Sequence, residues 1–390
     1  MRHHRLVCGL PALLAYLGGA SMVQGSGPTT KEARLHFADW PEIGVVELSS
    51  RFDGYQSAVD RDLTAGEPAY DYSVNVIRDG KLYRLFSGGR WRTPGRGDGD
   101  HVMQYLSETG AGGTWQPARE GPEFYQGQED GLGDVWFSGN YLEPEIVEVH
   151  GTYYLYTQVE IDPGQPIDTP GLKAETQCDR IQLHTSRDGS TWERWSAERG
   201  VVTDIENPTR VCLHHQEVIH APWDRDHRPF WLYVGAHIDG QWTGYYRIRS
   251  ADPTTFDWRR REPGVQFSQL GNQLGYVRRA PGGPLFVRIT FADDGRGRQV
   301  PTLQFSRDGM AWIWGDEGPV LLDGSQDNDR NRNCYFLGLS TLDGTGELER
   351  VGADTYHAIY AATTANSPGG ADIWWSEIGV GELLLRIRAA

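Results

Sequence analysis

Cysteine is scarce in this chain, four residues in 390. No pair has the CxxC spacing, nor any histidine pair the HxxxH spacing, of a structural zinc site. Runs of helix-forming residues are few, and beyond the first 25 residues no stretch is apolar enough to cross a bilayer. Positive charge is in deficit: 37 Lys and Arg face 53 Asp and Glu, a formal net charge of −16. Such a chain offers no basic face to nucleic acid or to an anionic membrane. The charge suits a neutral or cationic ligand, or simply keeps an exported protein in solution. Glycine (49) and tryptophan (14), by contrast, are plentiful, which points to many short strands joined by turns.

Residues 1–25 have a basic start, an apolar stretch from Leu6 to about Val23 and small residues near Gly18 to Ser21, the pattern of a secretory signal. Gly9, Pro11, Gly18 and Gly19 interrupt the apolar stretch, so no retained membrane anchor is expected. The expected location is extracellular or periplasmic. Cys178, Cys212 and Cys334 lie beyond the signal; if one disulfide forms, Cys178 with Cys212 is the expected pair.

About 360 residues remain, and five copies of one pattern fill most of them. Each copy opens with an apolar strand, passes a turn and continues into an aromatic-rich strand; a later strand often runs into Ser-x-Asp-Gly-x-x-Trp. The copies open at VNVIRDGKLYRLFSGG, EIVEVHGTYYLYTQVE, EVIHAPWDRDHRPFWLYVGAHI, LGYVRRAPGGPLFVRITFA and, less regularly, YFLGLS. The pairs Asp79–Gly80, Asp188–Gly189 and Asp308–Gly309 are turn signals. A period of roughly 60–75 residues fits a propeller blade that carries loops. The expected fold is all-β: a five-bladed β-propeller of four-stranded antiparallel blades over residues 66–390, with residues 26–65 closing or capping the ring.

Three acids recur at nearly one spacing beside these openings. Asp71, Glu145 and Glu217 lie 74 and 72 residues apart. A ring of repeats would gather equivalent positions near its axis, and a cluster of carboxyls there can both donate a proton and stay ionised, as glycosidic-bond hydrolysis requires. Strand alternation sends Glu143 to the same face as Glu145, so the two compete for the middle position.

The segments 186–192 (SRDGSTW) and 306–312 (SRDGMAW) resemble the Asp-box turns of sialidases and other carbohydrate-active propellers, in which they mark the fold and take no part in chemistry. The openings DYSV at 71–74, LEPEI at 142–146 and QEVI at 216–219 resemble the blade-one, blade-two and blade-three elements of family 43 glycoside hydrolases and their clan relatives. Tyr72 replaces a proline, Glu145 an aspartate, and Glu217 lacks the family's following Gly-Pro or Ala-Pro, so a sister family is expected. The resemblance implies a secreted glycosidase acting on arabinan or a related glycan. It assigns Asp71 as general base, Glu217 as general acid and Glu145 as the group that orients the acid, with inversion as the outcome.

Other candidates sit on the same openings. His214 and His215 precede Glu217; Asn272 and Gln273 open the fourth copy; Arg210 and Arg332 could clamp sugar hydroxyls; Trp136 and Tyr141 could stack on a ring. His357 resembles the axial histidine that binds calcium in some related arabinanases, but it has no matching second ligand, so no metal or other cofactor is expected. The loop DNDRNRN at 327–333 is expected on the pocket face. Two other readings stay open: a non-catalytic carbohydrate-binding propeller, and a sialidase-like enzyme, which needs an arginine triad and six blades. Phosphorolysis is not decided. The expected partner is a polysaccharide or oligosaccharide, and the expected state a monomer.

Overall fold

The computed structural model describes residues 32–50, 71–93, 97–109, 114–119, 123, 141–167, 169, 171–196, 200–267, 273–293, 299–316, 318, 334–342, 345–350, 355–364 and 378–388. Two short strands come first, β1 (Glu32–His36) and β2 (Val45–Ser50). The first repeat forms β3 (Asp71–Asp79), β4 (Leu82–Thr93), β5 (Gly97–Ser107) and β6 (Gln116–Pro117). The second forms β7 (Tyr141–Val149), β8 (Thr152–Ile161), β9 (Cys178–Ser186) and β10 (Glu193–Arg194). Next come β11 (Val202–Thr203), β12 (Val211–His220), β13 (Phe230–Ile238), β14 (Gln241–Ser250), β15 (Phe256–Asp257) and β16 (Glu262–Val265). The chain continues through β17 (Gln273–Val277), β18 (Leu285–Asp293) and β19 (Gln299–Ser306). It ends with β20 (Cys334–Leu342), β21 (Glu349–Arg350), β22 (Thr355–Thr364) and β23 (Ile378–Arg388). Among the described residues there is no α-helix, and none long and apolar enough to cross a membrane.

Hydrogen bonding sorts these strands into four blade-like sheets in a propeller arrangement, with a small parallel pair, β11 and β15, beside them. Two sheets are four-stranded, β7 to β10 and β12–β13–β14–β16, and β17 to β19 form a third. The sheet β3 to β6 does not stand alone. Its first strand pairs in parallel with β20, Ser340 to Leu342 against Val76 to Arg78, and so joins β22, β23, β2 and β1 in one ten-stranded sheet. Five separate blades were expected and four sheets are seen; the difference arises at this seam, where two opening strands exchange backbone hydrogen bonds. Strand β2 pairs with β23, Val45 opposite Arg388 through Ser50 opposite Leu383.

The apolar core lies between neighbouring sheets. Ile77, Phe86 and Val102 meet Ile146, Leu155 and Trp192. Val147, Tyr156 and Leu183 meet Val218, Leu232 and Ile248. Ile219, Trp231 and Tyr233 meet Leu274, Phe286 and Trp312. The two middle sheets, β7 to β10 and β12–β13–β14–β16, are therefore apolar on both faces, which explains why β13 is buried at every position from Phe230 to Ala236. Each such side chain contributes roughly 1.5–3 kcal/mol on burial.

The two Ser-x-Asp-Gly-x-x-Trp turns are structural, as their resemblance implied. Asp188 Oδ1 accepts the amides of Ser190 (2.8 Å) and Thr191 (2.6 Å), and Asp308 Oδ1 those of Met310 (2.7 Å) and Ala311 (2.9 Å). The Thr191 and Ser190 amides hold the Asp188 carboxyl well below the usual carboxylate range. Trp192 packs edge-on against Phe86 of the neighbouring sheet, at 5.7 Å between ring centroids. An arginine of the preceding sheet grips each turn: Arg84 donates to the carbonyls of Asp188 (3.0 Å) and Gly189 (3.1 Å), and Arg247 to that of Asp308 (2.5 Å).

Candidate active site

The opening strand of each of the first three repeats carries a one-residue bulge at the same place. The register shifts between Tyr72 and Asn75 in β3, Leu142 and Glu145 in β7, and His214 and Glu217 in β12. After each bulge an aromatic residue of the second strand lies opposite: Phe86, Tyr156 and Tyr233. Asn75, Glu145 and Glu217 are therefore the equivalent positions. Asp71 matches Tyr141 and Leu213 instead, so the 74-residue step joined positions of different register. Asp71 does open β3, but its side chain lies outside the described part.

Asn75, Glu145 and Glu217 form a buried polar layer. Asn75 is fully buried, and Glu145 and Glu217 are 2 % and 1 % exposed. Asn75 Nδ2 donates to Glu145 Oε2 at 2.7 Å. Burial first, and then the charge of Glu217, push the Glu145 carboxyl well above its ordinary value, against the hydrogen bond from Asn75. Burial also raises Glu217, opposed by the guanidinium of Arg288. Arg288, on β18 of the next sheet, is fully buried and donates from Nε to Glu217 Oε1 at 3.1 Å. Its guanidinium lies over the ring of Phe267, 3.9 Å from the centroid. Glu217 Oε2 has no hydrogen-bond partner among the described residues.

A second layer sits within the bulges. Glu143 and His215 hold equivalent places, and both have positive φ, 48° and 53°. Strain of that kind in residues with side chains persists only where the surroundings impose it, and it clusters at functional sites. His215 Nδ1 lies 2.6 and 2.8 Å from the two carboxylate oxygens of Glu143. Burial lowers the imidazole of His215, but the charge of Glu143 and the hydrogen bond to it prevail, and the net shift is upward. Gln216 Nε2 donates to the carbonyl of Glu143, which ties the two bulges together. The side chains of His215 and Glu143 are 20 % and 8 % exposed; this layer faces solvent more than the acids beneath it.

His214 is not a free ligand for substrate. Its Nδ1 lies 2.6 Å from Asp179 Oδ2 and its Nε2 lies 2.8 Å from Nδ1 of His237. Arg210 is exposed and pairs with Glu175 and Asp239, which removes it as a clamp at the acids. His357 falls on β22, one strand out from β20, so an axial place is not its own. Gln273 opens β17, with its side chain outside the described part. Trp136, Asn272, Arg332 and the 327–333 loop lie outside the described residues. No group of three or more metal-ligating side chains occurs among the described residues. Cys178 and Cys212 lie side by side as free thiols. The expected bridge is replaced by hydrogen bonds to backbone: Cys178 Sγ to Val211 O (3.1 Å) and Cys212 Sγ to Gln177 O (3.4 Å).

Four residues of the cluster escaped the sequence reading: Asn75, Arg288, Asp179 and His237. Asn75 is set in phase by the bulge before it, which only the pairing of β3 with β4 reveals. The other three come from second or third strands, where no motif marks them.

No protein-family model matches the sequence, and no curated protein does. Solved structures do match in fold. The chain is similar to a family 117 glycoside hydrolase of the marine bacterium Zobellia galactanivorans, at 13% identity and a TM-score of 0.53, over 87% of this chain and 90% of that one. It is also similar to the catalytic domain of a family 62 α-L-arabinofuranosidase of Coprinopsis cinerea, at 14% identity and 0.52, over 86% and 96%. A glycosyl hydrolase from Bacteroides ovatus matches at 11% and 0.50, over 90% and 96%. The shared feature is the propeller fold. None of the three is named as family 43, and the likeness is one of fold.

Proposed function

We propose that this protein is a glycan-cleaving hydrolase, exported and monomeric, whose reacting groups are the carboxyls at the bulged strand openings. One observation carries the reading: Glu143, Glu145 and Glu217 converge with His215 and Arg288 at equivalent bulges of two adjacent opening strands. Such a set separates proton donors from ionised groups. Burial keeps Glu217 protonated to higher pH than a free glutamate, as a general acid requires. Asp71, which opens β3, is assigned as the base that activates water, and the reaction then inverts the anomeric centre. Arabinan or a related furanoside is the first substrate to try, since one protein of similar fold is named as an arabinofuranosidase.

The ring is read as five blades. The ten-stranded sheet divides at its parallel β3–β20 contact into β3 to β6 and a last blade of β20, β22, β23 and β2; every other neighbouring pair within it is antiparallel.

A polysaccharide panel, with NMR of the first-formed anomer, tests the proposal. Asp71→Asn should abolish turnover and leave sugar binding largely intact, and Glu217→Gln should slow most the substrates with poor leaving groups. A retained anomer would overturn the assigned roles. One observation favours a second assignment of the acid: Glu143 is the more solvent-facing carboxyl and bonds His215. Full activity in Glu217→Gln would move the acid role to Glu143.

A further inference from the structure

Beside the carboxyl cluster runs a line of three polar side chains that hydrolysis as proposed does not use. Asp179 is the second residue of β9, His214 the last residue before the β12 bulge, and His237 lies near the end of β13. Both ring nitrogens of His214 are engaged, Nδ1 with Asp179 Oδ2 at 2.6 Å and Nε2 with His237 Nδ1 at 2.8 Å. Asp179 Oδ2 also accepts from Gln158 Nε2 at 3.0 Å, and Gln158 Oε1 accepts the backbone amide of His215 at 3.0 Å. The line is thus anchored to the bulge that carries His215, whose ring centroid lies 5.9 Å from that of His214.

A carboxylate can only accept, so His214 Nδ1 donates to Asp179; in the neutral tautomer of His214, Nε2 is then an acceptor and His237 Nδ1 donates. That leaves the lone pair on His237 Nε2, which has no hydrogen-bond partner among the described residues, in a partly exposed residue. Burial and the nearby imidazoles of His214 and His215 lower the His237 imidazole, and the charge of Asp179 opposes them without reversing the shift.

The backbone is shaped to hold this end of the line. The register slips between Ala236 and His237 on β13, which brings Trp242 of β14 opposite His237. The indole lies edge to face with the imidazole, 5.2 Å between centroids. Gly235 makes room for it: a Cβ there would sit 2.4 Å from Trp242 Cη2. A bulge beside a site commonly re-aims a side chain, and an imidazole acceptor next to an indole suits a sugar, which offers a hydroxyl donor and an apolar C–H face.

We propose that His237 Nε2, with Trp242 beside it, is a sugar-binding position one unit along from the site of cleavage, accepting a hydrogen bond from a neutral glycan hydroxyl. Asp179 and His214 are positioning residues that hold the acceptor in its tautomer. The proposal rests on the glycan-cleaving reading above and names a substrate contact for it. Glu143, Glu217 and Asp179 are the acids, and His214, His215 and Arg288 the bases, near this position. Sugar binding should weaken below the ordinary histidine range, as His237 gains a proton and its acceptor is lost.

Imidazole nitrogen NMR of the full chain tests this without activity. His237 should be the Nδ1–H tautomer at neutral pH, and Asp179→Asn or His214→Ala should redistribute it; an Nε2–H tautomer in the wild type overturns the proposal. Titration with arabino-, xylo- and galacto-oligosaccharides of three to six units should move the Nε2 resonance. His237→Ala should raise Kd or KM about tenfold with kcat little changed, and His237→Gln, which keeps an acceptor, should recover part of the loss. A glycan that binds or is cleaved without moving that resonance sinks the sugar position alone. A panel in which nothing binds sinks the glycan-cleaving reading with it.

Discussion

A carboxyl with almost no contact with water and a second carboxyl nearby is costly to ionise, and Glu145 is in that position. Its folded pKa is raised above the ordinary 4.5, so its contribution to stability is complete below that value and is lost as pH rises through the folded value. Glu145→Gln keeps the shape and removes the titration. The variant should match wild type near pH 4 and melt at progressively higher temperature than wild type as pH rises toward 8; parallel pH–Tm curves would show that Glu145 is not the group at fault. Arg288 acts in the opposite direction on Glu217, favouring its ionised form. Arg288→Gln should move the alkaline limb of the kcat/KM profile to higher pH, because the lone carboxyl holds its proton longer, while Arg288→Lys keeps it near wild type. Leaving Glu217 buried and unpaired should also cost about 3–5 kcal/mol, read as a fall in Tm for Arg288→Gln.

At the scale of single elements, the bulge decides what each opening strand presents. Side chains alternate with period two, so one inserted residue changes which of them share a face. This is where sequence reading stopped short. The turns were legible because Ser186, Asp188 and Gly189 make their bonds within six residues. The repeats were legible because strand composition is local. The phase of Asn75 was not, since a bulge is a property of pairing between two strands and leaves no mark on either alone. Arg288 and His237 were hidden for the same reason: each reaches the cluster from a strand other than the one bearing the motif. The β13–β14 irregularity offers a direct check. Gly235→Ala must push the Trp242 indole aside, and should cost about 1–3 kcal/mol as an overpacked contact. A thermal shift near zero would mean that the indole has another place to go.

For the whole molecule, the ten-stranded sheet depends on β2. Its six residues pair with β23, and β1 then covers its far side. Removing residues 32–50 should expose Leu383–Arg388 of β23 as a bare sheet edge, a template for pairing between chains. We expect lower Tm and concentration-dependent association by light scattering; a monomer of unchanged Tm would show that the last sheet is complete without them. The same pairing has a consequence in time. Strand β2 leaves the ribosome about 330 residues before β23, so it must wait, paired with β1 alone, for its second partner. The sheets between can form as they emerge, each needing only its own hairpins, but the ten-stranded sheet is not complete until synthesis has passed residue 388. The pairing of β2 with β23 is therefore a late contact, joining strands far apart in sequence after the sheets between them have formed.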